Sequence, residues 1–336
     1  MAATIVLLIL SLPYGTFAAF SPKLSTGGYS YQSVVSYIPI YVGLFAFALP
    51  LTPTFGVLFL SLTAIYIVFL AVAAMQGGGA LKALKSSTRE GMGAMLRNPL
   101  TATIMILGAA LLATVILDTL QTSVGVQAGG LSGDPLQLLM SFTLAPLIEE
   151  VGFRFFLIGV PLLVVLVIVG FRGNVLLKAL WRPSAAWDGV TPEDPHAFAV
   201  APLKLLVYLL IVVSSIVFGL AHYLSGSGWE IGKISEAALD GVALAYLYVR
   251  YGLHASIIFH WVVDYASNAF AFYGQAAYGI PWTANSAYSL LPALDIIILV
   301  GLPALLYFAI LLLRRLVAPR RPEPPEPGAA PPAFPT

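Results

Sequence analysis

The chain has 336 residues, of which 59% are hydrophobic and only 9% are charged, and its formal net charge is +1. Since a soluble domain carries about 25% charged residues, this composition predicts a polytopic membrane protein. The balanced charge provides no basic patch for nucleic acid, and nucleic-acid binding is excluded as a function class. The sequence has no cysteine, which excludes thiol catalysis, disulfides and thiolate metal sites.

Apolar segments follow one another along most of the chain. Because a helix needs about 20 apolar residues to cross the hydrocarbon, the sequence predicts an all-α transmembrane bundle of eight or nine spans. The first segment has no Lys or Arg ahead of it, which favours an uncleaved span over a signal peptide. The predicted spans are 3–20, 34–50, 54–75, 100–118, 136–160, 202–223, 232–250, 253–273 and 290–313.

Lysine and arginine predict the orientation of these spans. They concentrate at 82–97, at 172–182 and at 314–321, and the positive-inside rule places all three segments in the cytoplasm. With nine spans, the N terminus lies outside and the C terminus lies in the cytoplasm. We expect an integral protein of the plasma membrane.

The motif PLIEEVGFR at 146–154 places charges inside an apolar run. An ionisable residue near the bilayer centre costs roughly 2.5 to 3.5 kcal/mol and is a candidate functional residue by default. Helical spacing puts Glu150 and Arg154 on one face, four residues apart, and turns Glu149 away from them. Glu149 therefore lacks a cation, and an apolar environment suits such a carboxyl to general-base chemistry.

Two later spans carry further polar residues. His222 follows Phe218 by one helical turn, and a lone His in such a position is most often structural. His260, Asp264 and Asn268 form a stripe at successive four-residue steps, which must face the bundle interior or water. The sequence therefore predicts a polar cavity lined by three helices.

A carboxylate with imidazole groups around it can activate water and stabilise an oxyanion, as amide hydrolysis requires. Other membrane-protease signatures are missing from the sequence. No His is followed by Glu as in HExxH, SGSG at 225–228 does not match the serine motif GxSG, and LSGD at 131–134 does not match the aspartyl motif GxGD.

The three polar clusters resemble the motifs of the CAAX protease and bacteriocin-processing (CPBP) family of intramembrane endopeptidases, which includes the type II CAAX prenyl endopeptidases. The resemblance covers roughly residues 137–268. Three motifs in the same order on three spans are more specific than any one of them. EExxxR matches Glu149 to Arg154, FxxxH matches Phe218 to His222, and HxxxN/D matches His260 to Asp264.

The resemblance implies roles for these residues. Glu149 and His222 would activate the attacking water, while Glu150 and Arg154 would form a supporting ion pair. His260 with Asp264 would hold the oxyanion or orient the site. Many members have Asn in place of Asp264, and since an ionised Asp cannot donate a hydrogen bond, Asp264 could instead orient His260 while Asn268 donates.

The need for a metal stays open in the sequence. Glu149, His222 and His260 resemble a zinc set of two His and one Glu, and they fit a metal-free water activated by glutamate equally well. We favour the metal-free mechanism and expect no cofactor. Both mechanisms require Glu149 and His222 to meet, but the sequence places them at different depths. Glu149 lies about 20 Å from the outer start of its span, whereas His222 lies near the outer end of its own.

These inferences divide the chain into N-terminal transmembrane helices (1–135), a catalytic core similar to the family (136–273), a last transmembrane helix (274–318) and a disordered Pro-rich tail (319–336). The predicted function is an endopeptidase that acts on membrane-associated peptides, and membrane lipids are its other expected partners. The resemblance implies CAAX-type substrates, and processing of bacteriocins or signal-peptide fragments is equally open. A non-catalytic scaffold or immunity-type protein of the same fold and a proton-coupled transporter are the alternatives. The sequence does not determine the oligomeric state.

Overall fold

The computed structural model describes residues 1–25, 28–284 and 291–317, and the predicted tail at 319–336 lies outside them. Helices dominate this part of the chain, which confirms the all-α class. The elements are α1 (Ala2–Phe20), β1 (Ile38–Val42), β2 (Phe45–Leu49), α2 (Phe55–Met75), α3 (Ala80–Glu90), α4 (Pro99–Ser123), α5 (Pro135–Glu150), the π-helical segment π1 (Val151–Gly159), α6 (Val160–Val169), α7 (Asn174–Trp181), α8 (Val200–Leu224), α9 (Gly232–Tyr251), α10 (Leu253–Trp261), the π-helical segment π2 (Val262–Ala266), α11 (Ser267–Tyr278) and α12 (Leu291–Val317).

Six helices within the described ranges are long and apolar enough to cross a membrane. Each corresponds to a predicted span, and the longest joins α5, π1 and α6 into one rod of 35 residues. The polytopic membrane architecture is therefore confirmed. The six are Ala2–Phe20, Phe55–Gly78, Pro99–Ser123, Pro135–Val169, Ala197–Leu224 and Ile297–Arg314.

The predicted spans 232–250 and 253–273 are also helical, and they form the more polar interior of the bundle. All nine residues of α10 are buried, and the helix packs against α2, α4, α5 and α9. Since neighbouring helices separate α10 from lipid, it can carry polar side chains that would be costly on an outer helix.

The predicted span 34–50 is wrong, because this segment folds as an antiparallel hairpin. Ile38 pairs with Leu49 and Val42 pairs with Phe45 across a two-residue loop. Gly43 opens that loop with φ of +58°, the left-handed conformation that a tight hairpin turn requires and that glycine adopts without strain. The length of the apolar run concealed two short strands rich in aromatic and β-branched residues.

The hairpin changes the predicted topology at the N terminus. Without a crossing at 34–50, the end of α1 and the start of α2 lie on the same side of the membrane. The described chain then crosses the membrane eight times if α9 and the rod α10–π2–α11 are added to the six long apolar helices. The direction of α1 agrees with this, because α1 and α11 run parallel: Tyr265 Oη donates to the Ser11 carbonyl oxygen at 3.3 Å, and Lys23 Nζ donates to the Ala277 carbonyl oxygen at 3.4 Å. The N terminus therefore lies on the same side as the segment between α2 and α4.

Cysteine mapping can test this topology, because the native chain has no cysteine. Ala2, Thr88 and Ser227 are all exposed. In sealed vesicles, a membrane-impermeant maleimide should label Ala2→Cys and Thr88→Cys from one side and Ser227→Cys from the other. Labelling of Ala2→Cys together with Ser227→Cys would instead support nine crossings.

Candidate active site

The first motif lies where α5 passes into the wider π1 turn. Asp134 caps α5 by accepting from the backbone N–H groups of Leu136 and Gln137 at 3.0 and 3.2 Å, and the helix ends at Glu150. Glu150 and Arg154 are both fully buried, and Arg154 Nε lies 3.3 Å from Glu150 Oε2. The ion pair expected from the four-residue spacing is thus present. Local π-helical turns occur frequently at functional sites.

Glycine in this motif allows the hairpin to reach the site. A Cβ atom on Gly152 would lie 2.7 Å from the backbone oxygen of Tyr41, and the Gly43 N–H donates to the Gly152 carbonyl oxygen at 3.3 Å. Burial, followed by the charge of Glu149, raises the pKa of the Tyr41 hydroxyl. Tyr41 therefore lies in the electrostatic field of Glu149, at the edge of the site.

Glu150 is the centre of the buried polar network. Besides Arg154, it accepts hydrogen bonds from Ser256 Oγ and from His260 Nδ1, the latter at 2.9 Å. Ser256 also contacts the Leu244 carbonyl oxygen at 3.0 Å. One carboxylate thereby joins the first motif to α10 and fixes the orientation of the His260 ring.

The other nitrogen of His260 faces two more acids. His260 Nε2 lies 3.3 Å from Asp264 Oδ2 and 3.8 Å from Glu149 Oε2. Glu149 Oε2 is buried and has no hydrogen-bond partner among the described residues. Three carboxyl groups therefore surround one imidazole, and Glu149 has a buried oxygen that forms no hydrogen bond within the described residues.

The second motif joins the cluster through the ring of Phe218. The Arg154 guanidinium lies 4.2 Å above this ring, and the rings of His222 and His260 meet it edge to face at centroid distances of 4.6 and 5.8 Å. His222 Nδ1 lies 2.9 Å from the Phe218 carbonyl oxygen. Because a carbonyl can only accept, Nδ1 carries a proton, and in the neutral form of the ring Nε2 is therefore the acceptor.

The π1 segment bears on the difference in depth predicted for Glu149 and His222, because it brings the end of the first motif beside α8. The segment after Glu150, and not α5 itself, packs on α8: Ser214 Oγ donates to the Phe153 carbonyl oxygen at 2.7 Å, and Arg154 contacts Phe218. Ser214 lies two helical turns before His222, and Phe218 lies one turn before it. The start of α5 and the end of α8 therefore do not need to lie at the same depth.

Asn268 is placed differently from the other predicted residues. Its amide nitrogen donates to the Asp264 carbonyl oxygen at 2.7 Å and lies 3.5 Å from Ser267 Oγ. Both contacts are within its own helix. The π2 turn between Asp264 and Asn268 interrupts the regular four-residue stripe.

Sequence reasoning missed two residues of the site, Ser256 and Tyr41. Ser256 precedes His260 by four residues, so the helical spacing that linked His260 to Asp264 could have found it. Tyr41 carried no usable signal, because its segment was interpreted as a membrane span. A hairpin contact with π1 depends on the tertiary structure.

No three His, Asp or Glu side chains in the described ranges converge as a metal site requires. The candidate zinc set of Glu149, His222 and His260 includes a ring whose two nitrogens both face carboxylates. A His ligand needs one unprotonated nitrogen for the metal, whereas a ring between carboxylates is best satisfied with both nitrogens as donors.

Comparison with known proteins agrees with the motif analysis. Residues 131–266 match the family model described as Type II CAAX prenyl endopeptidase Rce1-like. The matched segment begins before α5 and ends at the close of π2, so it contains all three motifs and confirms the family inferred from them. No curated protein and no solved structure matches the chain.

Removing Arg154 should destabilise the fold strongly. Arg154→Met keeps most of the side-chain volume but leaves Glu150 buried without its cation, and the loss of one partner of a buried ion pair costs about 3 to 5 kcal/mol. The control is Arg97→Met, since Arg97 pairs with Glu90 at the surface, where such pairs contribute about 0 to 1 kcal/mol. Thermal unfolding in detergent measures both, and equal melting temperatures for the two variants would contradict the structural role of Glu150.

Proposed function

We propose that this chain, whose segment 131–266 belongs to the CPBP family of intramembrane endopeptidases, hydrolyses a peptide bond with a water molecule activated between Glu149 and His222. The family acts on membrane-associated peptides, and a CAAX-type substrate is our proposed class. The observation that carries the proposal is the convergence of three separate motifs on one buried cluster, in which Glu149 has a buried carboxylate oxygen without a hydrogen-bond partner among the described residues.

The charge balance of the cluster supports Glu149 as the general base. With His260 doubly protonated, the carboxylates of Glu149, Glu150 and Asp264 face two cations, Arg154 and His260, which leaves one negative charge. When Glu149 takes a proton from water, the negative charge passes to the attacking oxygen and then to the carbonyl oxygen of the substrate, and the net charge of the site is unchanged. The charge thus moves to an oxyanion that the cationic His260 attracts.

His222 supplies the second acceptor for the attacking water. Its Nδ1–H is held by the Phe218 carbonyl oxygen, so Nε2 presents a lone pair. A water that donates one hydrogen to Glu149 and the other to His222 directs its own lone pair at the scissile carbonyl carbon. Glu149 then passes the proton it has accepted to the leaving amine, as acid–base catalysis requires.

His260 stabilises the charge that develops on the carbonyl oxygen. Glu150 fixes its Nδ1, and Asp264 orients its Nε2, so the cationic ring is held in place before the reaction begins. A preorganised positive charge of this kind lowers the barrier to acyl transfer by attracting the developing oxyanion. In this proposal Asp264 positions His260 and does not itself donate to the oxyanion.

Replacing Glu149 should abolish cleavage while the fold persists. Glu149→Gln keeps the shape but removes the proton acceptor, and we expect the rate to fall by about 10²- to 10⁴-fold. The assay follows a quenched fluorescent, lipid-anchored peptide in proteoliposomes. Glu230→Gln is the control, since Glu230 lies exposed in the loop before α9. This variant should cleave the peptide at the native rate.

Two outcomes would reject this mechanism. Native activity in Glu149→Gln would exclude Glu149 as the general base. Proton-linked flux through the native protein without any cleavage would favour the transporter alternative.

Chelation tests whether cleavage depends on a bound metal ion. If the water is activated by Glu149 and His222 alone, treatment with 1,10-phenanthroline followed by dialysis should leave the rate within about twofold of the untreated enzyme, because no step depends on a metal. Loss of activity that zinc restores, and that magnesium does not, would instead assign Glu149, His222 and His260 as zinc ligands.

A further inference from the structure

A large cavity lies far from the three motifs, at the end of the bundle where α2, α4, α7 and α9 come together. Its volume is about 790 Å³, which is within the range of small-molecule sites. Four of its lining residues are cationic and none is acidic: Arg97, Lys178, Arg182 and Arg250.

Acidic residues at the rim neutralise only part of this charge. Glu90 pairs with Arg97 at 2.5 Å, and Asp188 is shared between Arg182 at 3.3 Å and Arg250 at 3.8 Å. Four cations against two carboxylates leave an excess of two positive charges. Lys178 has no ion pair or side-chain hydrogen bond among the described residues, so its ammonium group is available to a ligand.

The inner wall of the cavity offers a further hydrogen-bond donor. Gln76 lines the cavity, and its Oε1 lies 3.0 Å from Nε2 of the fully buried His254. Because Oε1 accepts from His254, the amide N–H₂ group of Gln76 is the end left for a ligand. The indole of Trp181 stacks on the His254 ring at 5.8 Å and 6°, which holds this wall rigid.

Apolar side chains are exposed beside the cationic cavity. Met75 and Leu177 are each 71% exposed. Met75 immediately precedes Gln76, and Leu177 itself lines the cavity. A charged pocket next to an apolar surface fits an amphiphile with an anionic head.

We propose that this cavity binds the phosphate group of an anionic phospholipid. The head would lie among Lys178, the three arginines and the Gln76 amide, while the acyl chains would follow the apolar rim. Cationic pockets between membrane helices on the positively charged side bind such headgroups. The positive-inside rule assigns that side to the cytoplasm.

Binding can be measured on the full-length protein in a neutral detergent. The probes are dioctanoyl phosphatidylglycerol, dioctanoyl phosphatidylcholine and inorganic phosphate, each titrated and followed by intrinsic tryptophan fluorescence or thermophoresis. We expect phosphatidylglycerol to bind with at least about tenfold higher affinity than phosphatidylcholine, since only the former carries net negative charge.

Charge variants separate the cavity from general surface electrostatics. Lys178→Glu should weaken phosphatidylglycerol binding about tenfold or more, because each cation near a membrane surface contributes a several-fold change in affinity, and Lys178→Arg should retain it. Lys85→Glu is the matched control, since Lys85 is an exposed cation of α3 that does not line the cavity, and it should change the affinity by less than about twofold. Thermal unfolding checks that the variants fold, and Lys178→Gln replaces Lys178→Glu if the latter does not.

The outcomes distinguish the sources of the phosphate. Binding of phosphatidylglycerol alone supports a lipid ligand, and binding of inorganic phosphate with the same dependence on Lys178 supports a site for the phosphate group without its acyl chains. Equal binding of phosphatidylcholine, or equal losses in Lys178→Glu and Lys85→Glu, would overturn the proposal. Proteolytic activity is not needed for any of these readouts.

Discussion

The fully buried carboxylate of Glu150 is the constraint on which the rest of the core depends. Arg154, His260 and Ser256 all contact it, and they come from π1 and α10. A buried ion pair contributes little net stability unless hydrogen bonds satisfy its remaining polar atoms. The network therefore serves to fix the relative position of two helices and the orientation of the His260 ring. Glu149, one residue earlier, is left to face Nε2 of the same ring.

This arrangement explains why the most polar helix occupies the centre of the bundle. Each residue of α10 is buried, so Ser256 and His260 meet protein groups and not lipid. The surrounding helices, such as α2 and α4, are apolar enough to face the hydrocarbon. The cost of polar residues in a membrane is thus reduced by placing them where their partners already lie.

The hairpin adds a second kind of constraint, because it brings backbone close to the catalytic candidates. Gly152 permits the contact with Tyr41, which gives a physical reason for glycine within the EEVGFR motif. The cationic cavity lies at another place in the bundle, where α7 and the end of α9 meet the segment between α2 and α4. The buried acidic cluster and the cationic cavity therefore lie in different parts of the bundle.

The sequence by itself determined the membrane class, most of the spans and the ion pair of Glu150 with Arg154, because hydropathy and helical spacing are local properties. It also predicted the family whose model matches residues 131–266, through three motifs that each span no more than two helical turns. Only the tertiary structure decided that 34–50 is a hairpin, that Ser256 and His260 share the Glu150 carboxylate, and that Phe218 joins Arg154 to His222. These contacts link residues far apart in the chain, and a local pattern carries no information about which distant helix, or which turn of it, will pack beside another.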